Sequence, residues 1–221
     1  MRAMLVGLVA GAAVCLPGGP TAWTAPRPSD IPLSWQLEFD YQDPQAIQLS
    51  LPGSSGPATF WFIRFRITNR TGQDQIFVPD FVLYTDTGQV LHAGRKVPSA
   101  VFDAIKQIYN DPLMKEMTAM TGKFLQGEDN AKEGVAIWTD FDPAAGAFDI
   151  FVGGLNGESA EVQLPVPVTV TEMDYTGQTK TVTKEKLVLT KTLQLSYAIP
   201  GEAAARGRTK AKPTAKQWVM R

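Results

Sequence analysis

The stretch ATFWFIRFRITN, residues 58–69, decides the architecture. Trp61, Ile63, Phe65 and Ile67 fall on one side of an extended chain, and Phe60 and Phe62 fall on the other, followed there by Arg64, Arg66 and Thr68. Successive side chains of a strand point to opposite faces. A strand whose first half is apolar on both faces must therefore be covered twice, by a partner sheet on one side and by a separate element on the other. Past Phe62 the second face turns basic, so that cover ends there or meets acids.

Period-two alternation spreads outward from this strand. Leu33, Trp35, Leu37, Phe39 and Tyr41 alternate with Ser34, Gln36, Glu38 and Asp40, the pattern of a half-buried strand over residues 33–41. Ile47, Leu49 and Leu51 repeat it over residues 45–51. Downstream, strands are expected at residues 76–78 and 81–85, with Asp86-Thr87-Gly88 turning a hairpin into Val90 and Leu91. Later strands are expected at 123–126, 135–141, 148–152, 162–171 and 181–199. Pro165 and Pro167 confine theirs to an edge or a bulge. Asn156-Gly157 is the strongest hairpin dipeptide in the chain. In the last run Leu187, Leu189, Leu193, Leu195 and Tyr197 share a face on which Lys191 is the one misfit.

Helical spacing occurs once, over about residues 99–121. Val101, Ile105 and Ile108 share a face after Ser99, a residue suited to an N-cap. Asp111-Pro112 then suits the start of a second short helix that carries Leu113, Met117 and Met120 inward and ends near Gly122. This helical insertion is the natural cover for Phe60 and Phe62. Met114, Met117 and Met120 are expected to fill core, the alternative being a ligand groove. About ten short strands with frequent turns and no internal repeat give the expected fold: a mainly β chain, an antiparallel sandwich with one helical insertion.

The run WFIRFRITNRTGQDQIFVPDFVLYTDTG, residues 61–88, resembles the strand-and-turn segment of immunoglobulin-like domains in exported bacterial proteins. With GKFLQGEDNAKEGVAIWTDFDP, FVGGLNGE, KTLQLSYAIPG and QWVMR, the chain resembles uncharacterised exported bacterial proteins of this kind over nearly all the length that follows the leader. The resemblance implies an immunoglobulin-like β-sandwich and an exported location. It implies no activity, ligand or catalytic residue.

The ends of the chain bear on the compartment. MRAMLVGLVAGAAVCLPGGP places Arg2 before an apolar run from Met4 to Leu16 and a Pro/Gly break, the order of a secretory signal. That run is shorter than the roughly 20 residues of a spanning helix. Residues 1–25 are expected to be a signal peptide, 26–32 a flexible lead-in, 33–200 a single β domain and 201–221 a basic tail. Periplasm, cell envelope or the extracellular space is the expected location. Cys15 is the only cysteine, so a chain cleaved after it has neither disulfide nor thiol chemistry. The last 21 residues hold six basic side chains against Glu202, which leaves 15 basic and 21 acidic residues before them. Such an acidic body is a poor nucleic-acid binder, and no nucleic-acid partner is expected. The tail could make weak contact with an anionic surface, remain a solubilising extension, or dock its QWVMR end as a strand.

No catalytic residue and no cofactor site is assigned. His92 is the single histidine, too few for a zinc site of the usual kind, and it reads as a loop residue. GGLNGE reads as a turn, because no helix follows to make it a phosphate loop. Asp129, Asp140 and Asp142, within an acid-rich stretch from Glu128 to Asp142, are the candidates for calcium, which takes six to eight oxygens. The plainer reading of that stretch is a solvated hairpin loop and an Asp-Pro turn. Arg64 and Arg66 suit a carboxylate ligand or cross-strand ion pairs. Two functions follow: a non-catalytic exported module that contacts a protein or envelope polymer through a sheet edge, the helical insertion or the tail, or a calcium-dependent binder or hydrolase built on the acidic stretch.

Overall fold

A computed structural model describes residues 26–51, 56–173, 179–201 and 210–221. The expected signal peptide, residues 1–25, lies outside them. The chain is mainly β: thirteen strands and one α-helix are present among the described residues. One sheet contains β1 (Glu38–Tyr41), β2 (Gln45–Ser50), β3 (Pro57–Asn69), β7 (Lys115–Glu116) and β9 (Gly127–Thr139), in the order β1-β3-β9-β7 with β2 beside β1 on the same edge of β3. A second contains β5 (Asp80–Thr85), β6 (Val90–His92), β10 (Ala147–Gly153), β11 (Ser159–Met173), β12 (Thr179–Ala198) and β13 (Lys212–Met220), in the order β11-β12-β10-β5-β6 with β13 on β12. A small pair joins β4 (Gln75–Phe77) to β8 (Gly122–Phe124). Pairing is antiparallel except for β7, which runs parallel to β9.

The double cover demanded by residues 58–69 is present. Trp61, Ile63, Phe65 and Ile67 of β3, with Ala136 and Trp138 of β9, enter a core completed by Phe81, Leu83, Ile150, Val152, Leu193, Leu195 and Tyr197 of the other sheet. On the opposite face Phe60, Phe62, Val135 and Ile137 meet Val101 and Ile105 of helix α1 (Ser99–Tyr109) and Met114. Helix, sheet and sheet thus form three layers, and β3 and β9 lie in the middle one.

Several local expectations differ from what forms. Residues 33–37 do not extend β1. They cross to the other sheet, where Leu37 N–H donates to Leu155 O and Gln36 bridges Asn156, and Leu33 is left exposed. Pro98, not Ser99, stands at the α1 N-cap, and the helix stops at Asn110, whose φ of 48° is left-handed. Ile108 points to solvent, as does Leu113. After Asp111 accepts the Leu113 and Met114 N–H groups, the chain does not continue as a second α-helix. It pairs with β9 as β7 and closes a 3-10 turn at Met117–Met120. Asn156-Gly157 is not a hairpin tip: β10 and β11 follow one another along the same side of β12. Gly154 sets that break, with φ +82° and a Cβ position that would strike the Val78 carbonyl.

Other features fall where the residues put them. Asp86-Thr87-Gly88 turns β5 into β6, and the register of β11 on β12 shifts between Gln163 and Val168, across Pro165 and Pro167. Lys191 is buried with a reason. Its Nζ donates to Glu158 Oε2 at 3.0 Å and to Ser29 O at 2.7 Å, and Ser29 N–H donates to Glu158 Oε1 at 2.8 Å. The segment expected to be a loose lead-in is therefore tied to the sheet. Residues 212–220 of the basic tail form the edge strand β13.

Candidate functional site

The acidic stretch does not gather. Asp129 lies near the start of β9, whereas Asp140 and Asp142 follow its end, so an extended strand of roughly 30 Å separates them. Asp140 Oδ1 accepts the Trp61 indole N–H at 3.1 Å and the Phe141 N–H at 3.0 Å. Asp142 receives the Ala144 N–H at 2.8 Å. Among the described residues no three acids, histidines or cysteines converge as metal ligands. His92 ends β6, half exposed, with Nδ1 3.9 Å from Asp80 Oδ1.

Arg64 and Arg66 part company. The Arg66 guanidinium bonds Glu133, its register partner on β9, at 3.3 Å and Glu128 at 3.2 Å. Arg70 joins the same group through Glu38 and Glu128. Arg64 makes no ion pair among the described residues. It stacks on Tyr109 with its guanidinium carbon 3.8 Å from the ring centroid, and its Nη1 reaches Gln42 Oε1 only at 3.4 Å. Strand alternation treats the two arginines alike because it does not place the helix end. That end, at Asn110, brings Tyr109 over one of them and leaves both beyond the covered part of the sheet.

A long exposed feature among the described residues is the pairing of β11 with β12 beyond Lys191. Residues Thr179–Thr190 of β12 and all of β11 form a two-stranded ribbon about 35 Å long. None of its described side chains is fully buried, and Val166, Val168, Leu187 and Val188 are exposed. The far edge of β12 is covered by β13 only as far as Thr190, which exchanges both main-chain bonds with Arg221. Antiparallel strands turn the N–H and C=O of alternate residues to the same side. The main-chain groups of Val182, Lys186 and Val188 therefore face an edge with no strand partner among the described residues. The alternation of Leu187 and Leu189 with the buried Leu193 is real, but the opposing sheet ends before it reaches them.

At the other end of β12 the buried Tyr197 lies beside the partly buried Tyr41 of β1, in the facing sheet. Tyr197 donates to Asp43 Oδ1 at 3.2 Å, and burial, with the neighbouring Tyr41 and Asp43, pushes its phenol well above the ordinary range. Tyr41 is raised in the same sense by burial and then by Asp43. Both stay protonated, so they serve as donors and not as nucleophiles. No family model, curated protein or solved structure matches the chain.

Proposed function

We propose that this chain is an exported, non-catalytic binding or structural module of the periplasm or cell envelope, an immunoglobulin-like β-sandwich that meets a protein partner through a sheet edge. One observation carries the reading: the ribbon of β11 and β12 projects past the core with apolar side chains exposed and one edge unpaired. A two-stranded ribbon is marginal in water on its own. Long exposed edges are pairing templates that proteins otherwise shorten or cover. An extended segment of another polypeptide would satisfy the open groups by strand addition, and exposed valines and leucines would grip its alternate side chains. Lys180 and Lys186 beside this edge discourage two copies of the chain from pairing with each other. The sandwich reading is supported by two sheets that share one core across β3, β9, β10 and β12. Export is supported by the leader-like order of residues 1–20.

Photo-crosslinking in the native host tests the binding role. A benzophenone side chain at Val188 should give one discrete protein adduct in the envelope or periplasmic fraction, and the same group at the exposed Ala144 should give none. Replacing Leu164–Glu185 by Asn-Gly joins the register partners Gln163 and Lys186 through a two-residue turn. This should abolish capture while leaving the melting temperature within a few degrees, since no described residue of the deleted part adds a side chain to either core. Equal labelling at both positions, or a wholly cytoplasmic protein, would overturn the proposal.

A further inference from the structure

Helix α1 ends at Asn110, but the sheet beneath it continues, and a cleft of about 260 Å³ opens where the cover stops. Arg64 and Asp40 line it from neighbouring strands, Glu133 lines it from β9, and Asp111 and Met114 close it from the segment after the helix. The edge of β3 is also broken here, because β1 ends at Tyr41 and β2 begins only at Gln45. We propose that this cleft binds a small zwitterion carrying a carboxylate and an ammonium group, of which a free amino acid is the simplest member.

Charge and preorganisation decide the ligand class. Arg66 and Glu133 satisfy each other, and Asp111 already accepts two main-chain N–H groups. Apart from Asp111, two unlike charges of the cleft remain without an ion-pair partner among the described residues, the Arg64 guanidinium and the Asp40 carboxylate. A plain anion would suit Arg64, yet it would sit among three carboxylates. A plain cation would suit the acids and meet Arg64. A ligand with both charges matches both. Arg64 is held ready for a carboxylate, because Tyr109 stacks on its face and its Nε is buried without an acceptor. The guanidinium is thus fixed before a ligand arrives, and little rotamer freedom remains to be lost on binding. Its planar fork suits a carboxylate better than an ammonium of the same charge would. The volume falls just below the roughly 300 Å³ at which sites for drug-sized molecules begin, which suits a ligand of amino-acid size. This site shares no residue with the β11–β12 ribbon, so it stands or falls separately from the crosslinking result.

Titration of the 15N-labelled protein tests it. The probes are glycine, L-alanine, L-glutamine and L-leucine, with N-acetyl-L-alanine as a carboxylate lacking the ammonium and L-alaninamide as the converse. At least one free amino acid should shift the Arg64 Nε–H and Met114 amide signals saturably. The acetylated and amidated forms should bind at least about tenfold more weakly than L-alanine or not at all. Arg64→Lys should weaken the response, and Asp40→Asn, at an exposed position that does not threaten folding, should erase the preference for L-alanine over N-acetyl-L-alanine. The proposal fails if no free amino acid gives a saturable shift up to about 20 mM, a limit that corresponds to only ~2 kcal/mol of binding. It fails equally if N-acetyl-L-alanine binds as well as L-alanine, or if Asp40→Asn changes nothing.

Discussion

Lys191 shows how a residue that breaks a hydrophobic pattern comes to hold a fold. It occupies a core-facing position of β12 and is 3% exposed, yet its charge is met by Glu158 and by the carbonyl of Ser29. The Ser29 N–H, and then the Lys191 ammonium, hold the Glu158 carboxyl below its ordinary range. A carboxyl that binds its proton less readily in the folded chain than in the unfolded one stabilises the fold above the ordinary glutamate value of about 4.3. That contribution fades as pH falls from there through the folded-state value. Glu158→Gln should therefore lower the melting temperature at pH 7 and lose the difference from wild type below about pH 4, as thermal unfolding across pH 3–7 would show. Lys191→Ala should cost more than Glu158→Gln at pH 7, because it leaves the Glu158 carboxylate without its counter-ion and removes the buried lysine stem, whereas a glutamine at 158 still offers Lys191 an acceptor. Asp140 makes the same point from the surface. It is the acceptor for the fully buried Trp61 indole, and Asp140→Ala should cost about 1–2 kcal/mol by leaving that donor unpaired. Calcium should leave the melting temperature unchanged, whereas a site filled a hundredfold beyond its dissociation constant would add about 2.7 kcal/mol. The partners of Lys191 and Asp140 lie 33 to 162 and 79 residues away. No local pattern announces such pairings, and so Lys191 reads as a misfit and Asp140 as a calcium candidate.

At the scale of elements, what local chemistry dictates is legible in the sequence and what packing decides is not. Residues 58–69 announce a strand covered on both faces, and residues 99–109 announce the helix that covers one of them. The Asp-Thr-Gly turn and the proline-induced shift in β11 are equally local. The fate of residues 111–121 is different, since Asp111 and Pro112 are good helix starters, but β9 offers an open edge to the chain that follows. Gly134 explains why that chain can come so close. A Cβ there would lie 2.5 Å from the Met120 sulfur and 2.7 Å from the Phe65 ring, and β7 pairs with β9 at Gly134 itself. Gly134→Ala should overpack this junction and cost about 1–3 kcal/mol, measurable by denaturant unfolding, even though alanine is otherwise the better strand residue. A Cβ at Gly88, in an open turn, would meet no atom, and the cost of substitution there is instead the backbone strain of φ +89°.

For the whole molecule, the decisive relation is between β12 and the strands that share it. Its 20 residues outlast every neighbour: β10 and β11 divide one side between them, and β13 covers the other only from Lys191 to Ala198. Sequence alternation makes residues 187–197 look like one buried face, because it records which side a residue takes and not how far the opposing sheet extends. Composition likewise makes residues 201–221 look like an appendage, although Trp218 packs on the main core and Lys216 lies over Tyr41. Hydrogen exchange separates these relations residue by residue. Arg221 and Thr190 exchange both main-chain bonds, so two residues further along, at Val219 opposite Thr192, the N–H again points into the ladder. Val219 and Gln217 should be protected to nearly the global stability, and Trp218 and Met220, whose N–H groups face outward, should exchange freely. On β12 the same parity predicts slow exchange at Thr192 and Gln194 but fast exchange at Val182, Lys186 and Val188. Addition of a partner strand along the ribbon should slow that second set and leave the first unaltered. Fast exchange throughout 217–220 would mean that β13 does not close the edge, and the open side of β12 would then run its full length.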